Sequence, residues 1–227
     1  MSKISIIIPT INEADNLPLL LSDLSIIKKE GEIIIVDSGS EDKTIDIGNI
    51  YGAKVYKSKE KNRGLQLDLG AKNSKGDWLI FLHADTRLNQ FWYRKINSVL
   101  KGDKKYIYYF KFKINHKKII YRILEILVNF RSQYLKKPYG DQGLIIHRTT
   151  YFKNNGFRKI PLMEDIDFLR RLKNKKNLKQ LNLPIFISSR KWEKTNIFLQ
   201  ALKNWNFRRR WLKGESTKSI YSDYYKK

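Results

Sequence analysis

The sequence contains no cysteine, which excludes disulfides and thiolate metal sites. It has no internal repeat and no linker rich in proline, glycine or serine, so nothing marks a boundary between independent domains. Long apolar runs are also missing. The first, residues 4–8, is far too short for a signal peptide. No run approaches the roughly 20 apolar residues of a membrane span. A cytoplasmic protein is expected. Acidic residues are scarce: 22 Asp and Glu stand against 46 Lys and Arg, a formal net charge of +24 with a sequence pI near 10.0. That balance implies affinity for something anionic: nucleic acid, anionic lipid or a phosphorylated substrate. Lysine is scattered through the whole chain, so a merely solvated surface is an equal reading.

What is present suffices for a core. The chain has 227 residues, 41% of them hydrophobic, enough for one large α/β domain or a domain with a short appendage. The stretch 76–87 organises the rest. Gly76 and Asp77 punctuate a turn, and Trp78 to Leu82 run apolar without interruption, as a central strand covered on both faces does. The strand ends on His83-Ala84-Asp85. In an open α/β sheet that edge is where ligands collect, and a carboxylate there suits a hard divalent cation also held by phosphates. Capping of a following helix, with Thr86 in its first turn, is the competing reading of Asp85.

In chain order, residues 5–8 form a β-branched strand closed by Pro9. A helix over 13–28 follows, with Asn12 as its cap and Leu17, Leu20, Leu21, Leu24 and Ile27 apolar. Residues 32–36 make a second buried strand, ending on Asp37-Ser38-Gly39-Ser40. A helix over 41–51 and a strand over 53–57 complete a β-α-β-α-β order, hence a largely parallel sheet with right-handed crossovers. A basic turn over 59–64 leads to a helix over 65–73 and then to the central strand.

Beyond it the pattern predicts a helix over 89–100 and a half-exposed strand over 106–114, in which Tyr108, Phe110, Phe112 and Ile114 share one parity. Residues 118–134 form a helix with a wide apolar face, expected to pack on the core, with rest on lipid as the alternative. A polar turn over 138–143, a strand over 144–146 and a helix from Thr149 come next. Glu164 and Asp165 fall in the first turn of another helix, where its dipole favours carboxylates. Residues 181–187 read as an edge strand interrupted at Pro184. Residues 193–214 read as helix interrupted at Arg208 to Arg210, and the residues after that as frayed.

The acidic and polar clusters thus sit at successive strand ends. In order they are SIIIPTINEADNL, IIIVDSGSEDKT, NRGLQLDLGA, GDWLIFLHADT and PLMEDIDFLRRL. Over about residues 3–175 this set resembles the family-2 glycosyltransferases. PYGDQGLII at 138–146, together with PLMED, is similar to a small bacterial subgroup. The resemblance implies an α/β fold: one GT-A, Rossmann-like nucleotide-diphospho-sugar transferase domain over 1–190. Its mixed, mostly parallel sheet would carry helices on both faces, with a basic helical appendage over 191–227. It implies an inverting, hexosyltransferase-type enzyme. A nucleoside-diphosphate sugar, with UDP favoured, would be the donor, and Mn²⁺ or Mg²⁺ would be held on the diphosphate.

By the same resemblance Pro9, Thr10, Asn12 and Glu13 match the motif at the base and ribose, and Asp37 the carboxylate facing the base, with Ser38 and Gly39 beside it. Arg63 matches a basic residue near the diphosphate, with Gln66 one turn on. Asp85 matches the last acid of the metal-binding Asp-x-Asp motif, next to Ala84. Asp165, or its neighbour Glu164, matches the general base that deprotonates the acceptor.

The chain departs from the family pattern where His83 replaces the first acid of that motif; it would ligate the metal, bond the ribose, or simply be a satisfied edge histidine. Asp141 and Gln142 are candidates for acceptor contact, with turn chemistry as the equal alternative. Trp192, in Arg190-Lys191-Trp192, would shield the diphosphate or frame the acceptor pocket. Arg208 to Arg210, with Trp205 and Trp211, would meet anionic head groups, or be a solvated basic helix. The acceptor is unidentified. A lipid or membrane-proximal acceptor, and peripheral placement at the inner face of the membrane, stay open. The competing classes are a nucleotidyltransferase, which wants a Gly-rich phosphate loop where this chain has Pro9-Thr10-Ile11-Asn12, and a nucleic-acid-binding protein. Nucleic acid is not expected, because acids at strand ends would repel it.

Overall fold

The computed structural model describes residues 3–27, 30–188 and 197–225. Its strands are β1 (Ile4–Thr10), β2 (Gly31–Asp37), β3 (Lys54–Lys57), β4 (Trp78–Phe81), β5 (Thr86–Leu88), β6 (Ile107–Ile114), β7 (Leu144–His147) and β8 (Leu178–Ile187). They make one mixed sheet in the order β3-β2-β1-β4-β7-β6-β8-β5. Around it lie the helices α1 (Leu17–Leu24), α2 (Thr44–Ile50), α3 (Arg63–Asn73), α4 (Trp92–Leu100), α5 (Ile119–Tyr134), α6 (Arg148–Lys153), α7 (Glu164–Arg171), α8 (Ile197–Leu212) and α9 (Thr217–Tyr225).

Strand alternation divides the core between two faces. Ile4, Ile6 and Ile8 meet Leu17, Leu20, Leu21 and Leu24 of α1 and Trp92 and Ile96 of α4 on one side. Ile7, Ile34 and Val36 meet Leu67 and Ala71 of α3 and Phe168 of α7 on the other. β1, β2, β3 and β4 run parallel. The chain steps from β1 outward to β3 and then returns to place β4 on the opposite side of β1. That reversal opens a crevice at the carboxyl ends of β1 and β4, where doubly wound sheets bind ligands.

Several expectations are corrected. Pro9 does not close β1, which continues to Thr10 beside Asp37. By strand parity Pro9 faces the β4 side, and β4 ends opposite Ile7, so no ladder bond is lost. Asn12 does not cap α1; it sits left-handed at φ 52, and the helix begins at Leu17 with Pro18 in its first turn. Thr86 starts a strand, not a helix: β5 pairs antiparallel with the end of β8. β8 is continuous through Pro184, which sits at the irregularity in its pairing with β6; β5 covers the other side only at Ile185–Ile187, so Pro184 keeps the open side expected of an edge. β6 is buried on both faces from Ile107 to Phe110, with only Lys111 fully exposed. α8 passes through Arg208 to Arg210 unbroken, and the residues expected to fray form α9, anchored by fully buried Ile220.

α5 meets its expected orientation only in part. Tyr121 and Val128 are buried and Ile120 and Leu124 pack against the core, but Glu125 and Ser132 are buried with them, while Ile119, Ile123, Ile126, Leu127 and Phe130 are exposed. The cause is β7, which pairs with β6 only at Ile107 and Tyr108 and leaves the rest of that side open. Polar side chains take the place of the missing strand. Gln142 Nε2 donates to Phe110 O at 3.2 Å. Asn129 accepts from Phe112 N and donates to Phe112 O, both at 2.9 Å. Glu125 accepts from Ile114 N at 2.7 Å, and Arg122 donates to Ile114 O at 2.9 Å. Backbone groups must be paired, so the polar face of α5 turns inward. Among the described residues no helix is long and apolar enough to cross a membrane.

Candidate active site

Two loops at the carboxyl ends of β1 and β2 are laced together. Ser38 N donates to Thr10 O at 3.1 Å, Asn12 N to Ser40 Oγ at 2.8 Å, and Glu13 N to Thr44 Oγ1 at 2.8 Å. Glu41 N donates to Asn12 Oδ1 at 2.9 Å. Asp37 anchors this lacing. Fully buried, it accepts from Gly39 N at 2.9 Å, Ser40 N at 2.8 Å, Thr10 Oγ1 at 2.9 Å and the Ser40 hydroxyl. Gln66 Nε2 clips the two strand ends, donating to Thr10 O at 2.9 Å and Val36 O at 2.7 Å. A cleft so tied needs little reorganisation on binding.

That first cleft encloses about 1150 Å³ counting its open mouth, room for a nucleotide-sized ligand. It is lined by Pro9, Thr10, Asn12, Glu13, Ser38 and Gln66 together with Arg63, His83, Ala84 and Asp85. Tyr221 and Tyr225 of α9 also line it. A second cleft, of about 1050 Å³, lies beside it and is lined by Phe112, Tyr139, Asp141, Asp165, Asn204, Phe207 and Arg208, among others. Arg63, His83 and Asp85 belong to both. The clefts therefore meet where β4 ends.

Around that junction the charges are ordered. Arg63 grips Glu164 with both ends of its fork, Nε to Oε1 at 2.5 Å and Nη2 to Oε2 at 3.1 Å. Burial pushes the Glu164 carboxyl up, against the pull of Arg63, while the two acids Glu164 and Asp165 hold the Arg63 guanidinium firmly charged. Asp165 is held differently: Oδ2 accepts from Gly140 N at 2.6 Å and Oδ1 from Ile166 N at 2.8 Å, which aims the carboxylate along the second cleft. Gly140 lies between it and His83; a Cβ there would come to 3.1 Å from His83 Nε2 and 3.3 Å from Asp165 Oδ2. Asp141 Oδ1 is buried without a hydrogen-bond partner, and burial raises that carboxyl, with Asp165 and Asp85 adding to the rise and Arg131 opposing it. Arg131 and Arg208 stack on Tyr139 at 3.9 Å and 5.2 Å from its ring centre. Burial lowers the Arg208 guanidinium.

The donor set near Asp85 answers whether a divalent metal fits. Among the described residues no three His, Asp, Glu or Cys side chains converge as a metal cage. One carboxylate and one imidazole at the junction suit a hard cation that arrives with its phosphates and keeps part of its water shell.

Other expected residues fall off the cleft walls. Asp37 and Gly39 shape the loop behind the first cleft, Glu164 is closed by Arg63, and Gln142 is fully buried, turned to Phe110 and Ser132. Trp192 lies outside the described residues. The three arginines of α8 part company: Arg208 enters the second cleft, Arg209 lies over Trp205, and Arg210 pairs with Asp223 at 2.6 Å and with Glu215. Trp211, half-buried, carries Arg170 of α7 over its ring at 5.4 Å. Residues not anticipated are Tyr221, Tyr224 and Tyr225, together with Asn204 and Phe207. Their signal was present as helical spacing of Ile220 with Tyr224 and of Asn204 with Phe207 and Arg208.

The model of the family described as glycosyl transferase family 2 matches residues 5–164. Over 94 residues, 38% of this chain, the sequence is 40% identical to a 4,4'-diaponeurosporenoate glycosyltransferase of Staphylococcus haemolyticus, covering 25% of that protein. Over 93 residues it is 38% identical to a PGL/p-HBAD biosynthesis glycosyltransferase of Mycobacterium bovis, covering 37% of this chain and 36% of that one. The aligned part is thus a quarter to about a third of these curated relatives. Among solved structures, S. aureus TarS 1–349 in complex with UDP superposes with a TM-score of 0.65 at 20% identity, over 82% of this chain and 60% of that one. Glucosyl-3-phosphoglycerate synthase from Mycobacterium tuberculosis, in complex with Mn²⁺, UDP and glucosyl-3-phosphoglycerate, does so at 0.60 and 19%, over 81% and 70%. At such identities the likeness is one of fold.

Proposed function

This chain belongs to glycosyl transferase family 2, and we propose that it moves a sugar from a UDP-type nucleoside-diphosphate donor in the first cleft to a hydroxyl of an acceptor in the second, with inversion. The observation that carries the proposal is the junction: Arg63, His83 and Asp85 line both clefts, with Asp165 on the wall of the second. The donor half is also supported by the fold neighbours bound to UDP.

The laced loops 9–13 and 38–40 seat base and ribose. Asp37 acts from behind, through the amides and hydroxyls it holds. Asp85, with His83 beside it, would hold Mn²⁺ or Mg²⁺ on the diphosphate; when bound, the cation neutralises charge on the leaving group. Asp165 is the general base. It takes the acceptor hydroxyl proton as that oxygen bonds the anomeric carbon, and the bond to the diphosphate breaks on the opposite face. Gly140 N–H and Ile166 N–H fix the carboxylate for this step. Glu164 is the positioning partner of Arg63. The acceptor lies against Tyr139, Asp141 and Arg208, a mixture of ring face and charge. No Gly-rich phosphate loop follows β1, so nucleotidyl transfer is the weaker reading.

The test is thermal stability against UDP, GDP and their sugars, with and without Mn²⁺, for wild type and Asp85→Ala. A ligand at a hundred times its dissociation constant adds about 2.7 kcal/mol. A metal-dependent gain with one base, absent in Asp85→Ala, is expected. No gain with any nucleotide sinks the proposal.

A further inference from the structure

Two helices present apolar side chains to the outside. On α5 the exposed set is Ile119, Ile123, Ile126, Leu127, Phe130 and Tyr134, spaced as one helical stripe, with Ile119 78% and Ile126 67% exposed. On α8 Leu199, Leu202, Trp205 and Leu212 are exposed, while Asn204, Phe207 and Arg208 turn inward to the second cleft. Both helices reach Tyr139, whose ring carries Arg131 of α5 and Arg208 of α8. An uncovered apolar stripe of this extent marks a contact with something.

Charge selects the partner. α5 contains a single acid, Glu125, which is buried and committed to Ile114 N, and α8 contains none. Exposed cations border both stripes: Lys117, Lys118 and Lys137 at the ends of α5, and Lys203 and Arg209 on α8 with Lys213 just past its end. A second copy of this chain would bring like charges face to face. An anionic lipid surface would accept the apolar side chains below its head groups and pair the cations at them.

We propose that α5 and α8 together seat the protein on an anionic bilayer, lying in the interface with the second cleft beside the membrane surface. The seat requires neither donor nor acceptor, so it stands or falls separately from glycosyl transfer.

The experiment is flotation of the full chain with phosphatidylcholine vesicles, with and without about one-third phosphatidylglycerol, at low and high salt. The variants are Ile126→Ser with Leu127→Ser on α5 and, separately, Leu202→Ser on α8. These side chains are exposed, and an unchanged melting temperature confirms the fold. Binding to the anionic vesicles is expected, weakened by salt, and about tenfold or more weaker in the α5 double variant. Absence of binding at low salt overturns the proposal. So does equal binding by wild type and both variants, since that leaves only diffuse charge attraction. A lipid-free dimer in analytical ultracentrifugation that the α5 variant dissolves would make the face a subunit interface instead.

Discussion

Arg63 and Glu164 lie 101 residues apart in sequence and form a two-point ion pair, which ties the first turn of α3 to the first turn of α7. The pair closes Glu164 off from any acceptor and leaves its neighbour Asp165 facing the second cleft. Adjacent acids thereby receive different work.

Glu164→Gln should destabilise the protein by about 3 kcal/mol, the lower end for breaking a buried pair, because Arg63 keeps 29% of its side chain in solvent. Urea denaturation measures it. A loss under about 1 kcal/mol would place the pair among weak surface bridges.

Asp165→Asn should keep UDP affinity and lower turnover by about 10²–10⁴, the usual contribution of a positioned base. Calorimetry with UDP, alongside a transfer assay, separates the two. Comparable turnover in the variant would remove Asp165 from the chemistry.

Gly140→Ala places a methyl 3.1 Å from His83 Nε2 and 3.3 Å from Asp165 Oδ2, so both side chains must give way. Stability should change by less than about 1 kcal/mol while turnover falls about tenfold, because the displaced groups are the reacting ones. Melting temperature and steady-state rates together decide it.

Asp141 makes stability depend on pH. Burial, with Asp165 and Asp85 nearby, raises its carboxyl above the ordinary 3.8, against the opposing effect of Arg131. The folded state therefore holds this proton more tightly than the unfolded state. The associated stability is full below pH 3.8 and is lost as pH rises through the folded value. Asp141→Asn should melt progressively higher than wild type as pH is raised from acid towards neutral. Parallel melting curves across that range would show that Asp141 is not strained.

Asn129→Ala removes the partners of both the N–H and the C=O of Phe112 and should cost about 2 kcal/mol, whereas exposed Ile126→Ser should stay within about 0.5 kcal/mol. The contrast, read by chemical denaturation, tests whether α5 docks through its polar face.

The strand-end clusters were legible because their chemistry is local. A buried apolar run stops, a polar turn follows, and the parallel order puts all such turns at one edge of the sheet. The four motifs from Thr10 to Asp85 could be read in that way; Glu164 and Asp165 follow no strand, and reach the same edge by opening α7 after α6 and a loop. Their division of labour could not. Asp37 and Ser38 are neighbours, yet one is fully buried and the other lines the cleft. β5 has three residues, too few to show a period of two. Pro184 suggested an edge because a missing N–H is harmless there, and β8 has β6 on one side and no strand on the other at that position; what the sequence did not show is that β5 covers the next three residues.

The sequence by itself determined the elements other than β5 and α9, their order and the chemical groups available at the strand ends, since periodicity and turn residues act over a few positions. Only the tertiary structure decided which groups meet. It brought α9 over the first cleft, Arg208 into the second and Arg63 onto Glu164. It also decided which way α5 faces. An amphipathic pattern says that two sides of a helix differ, not which side the protein needs. Here the unpaired edge of β6 needed hydrogen-bonding groups, and so much of the apolar surface of α5 was left to the outside.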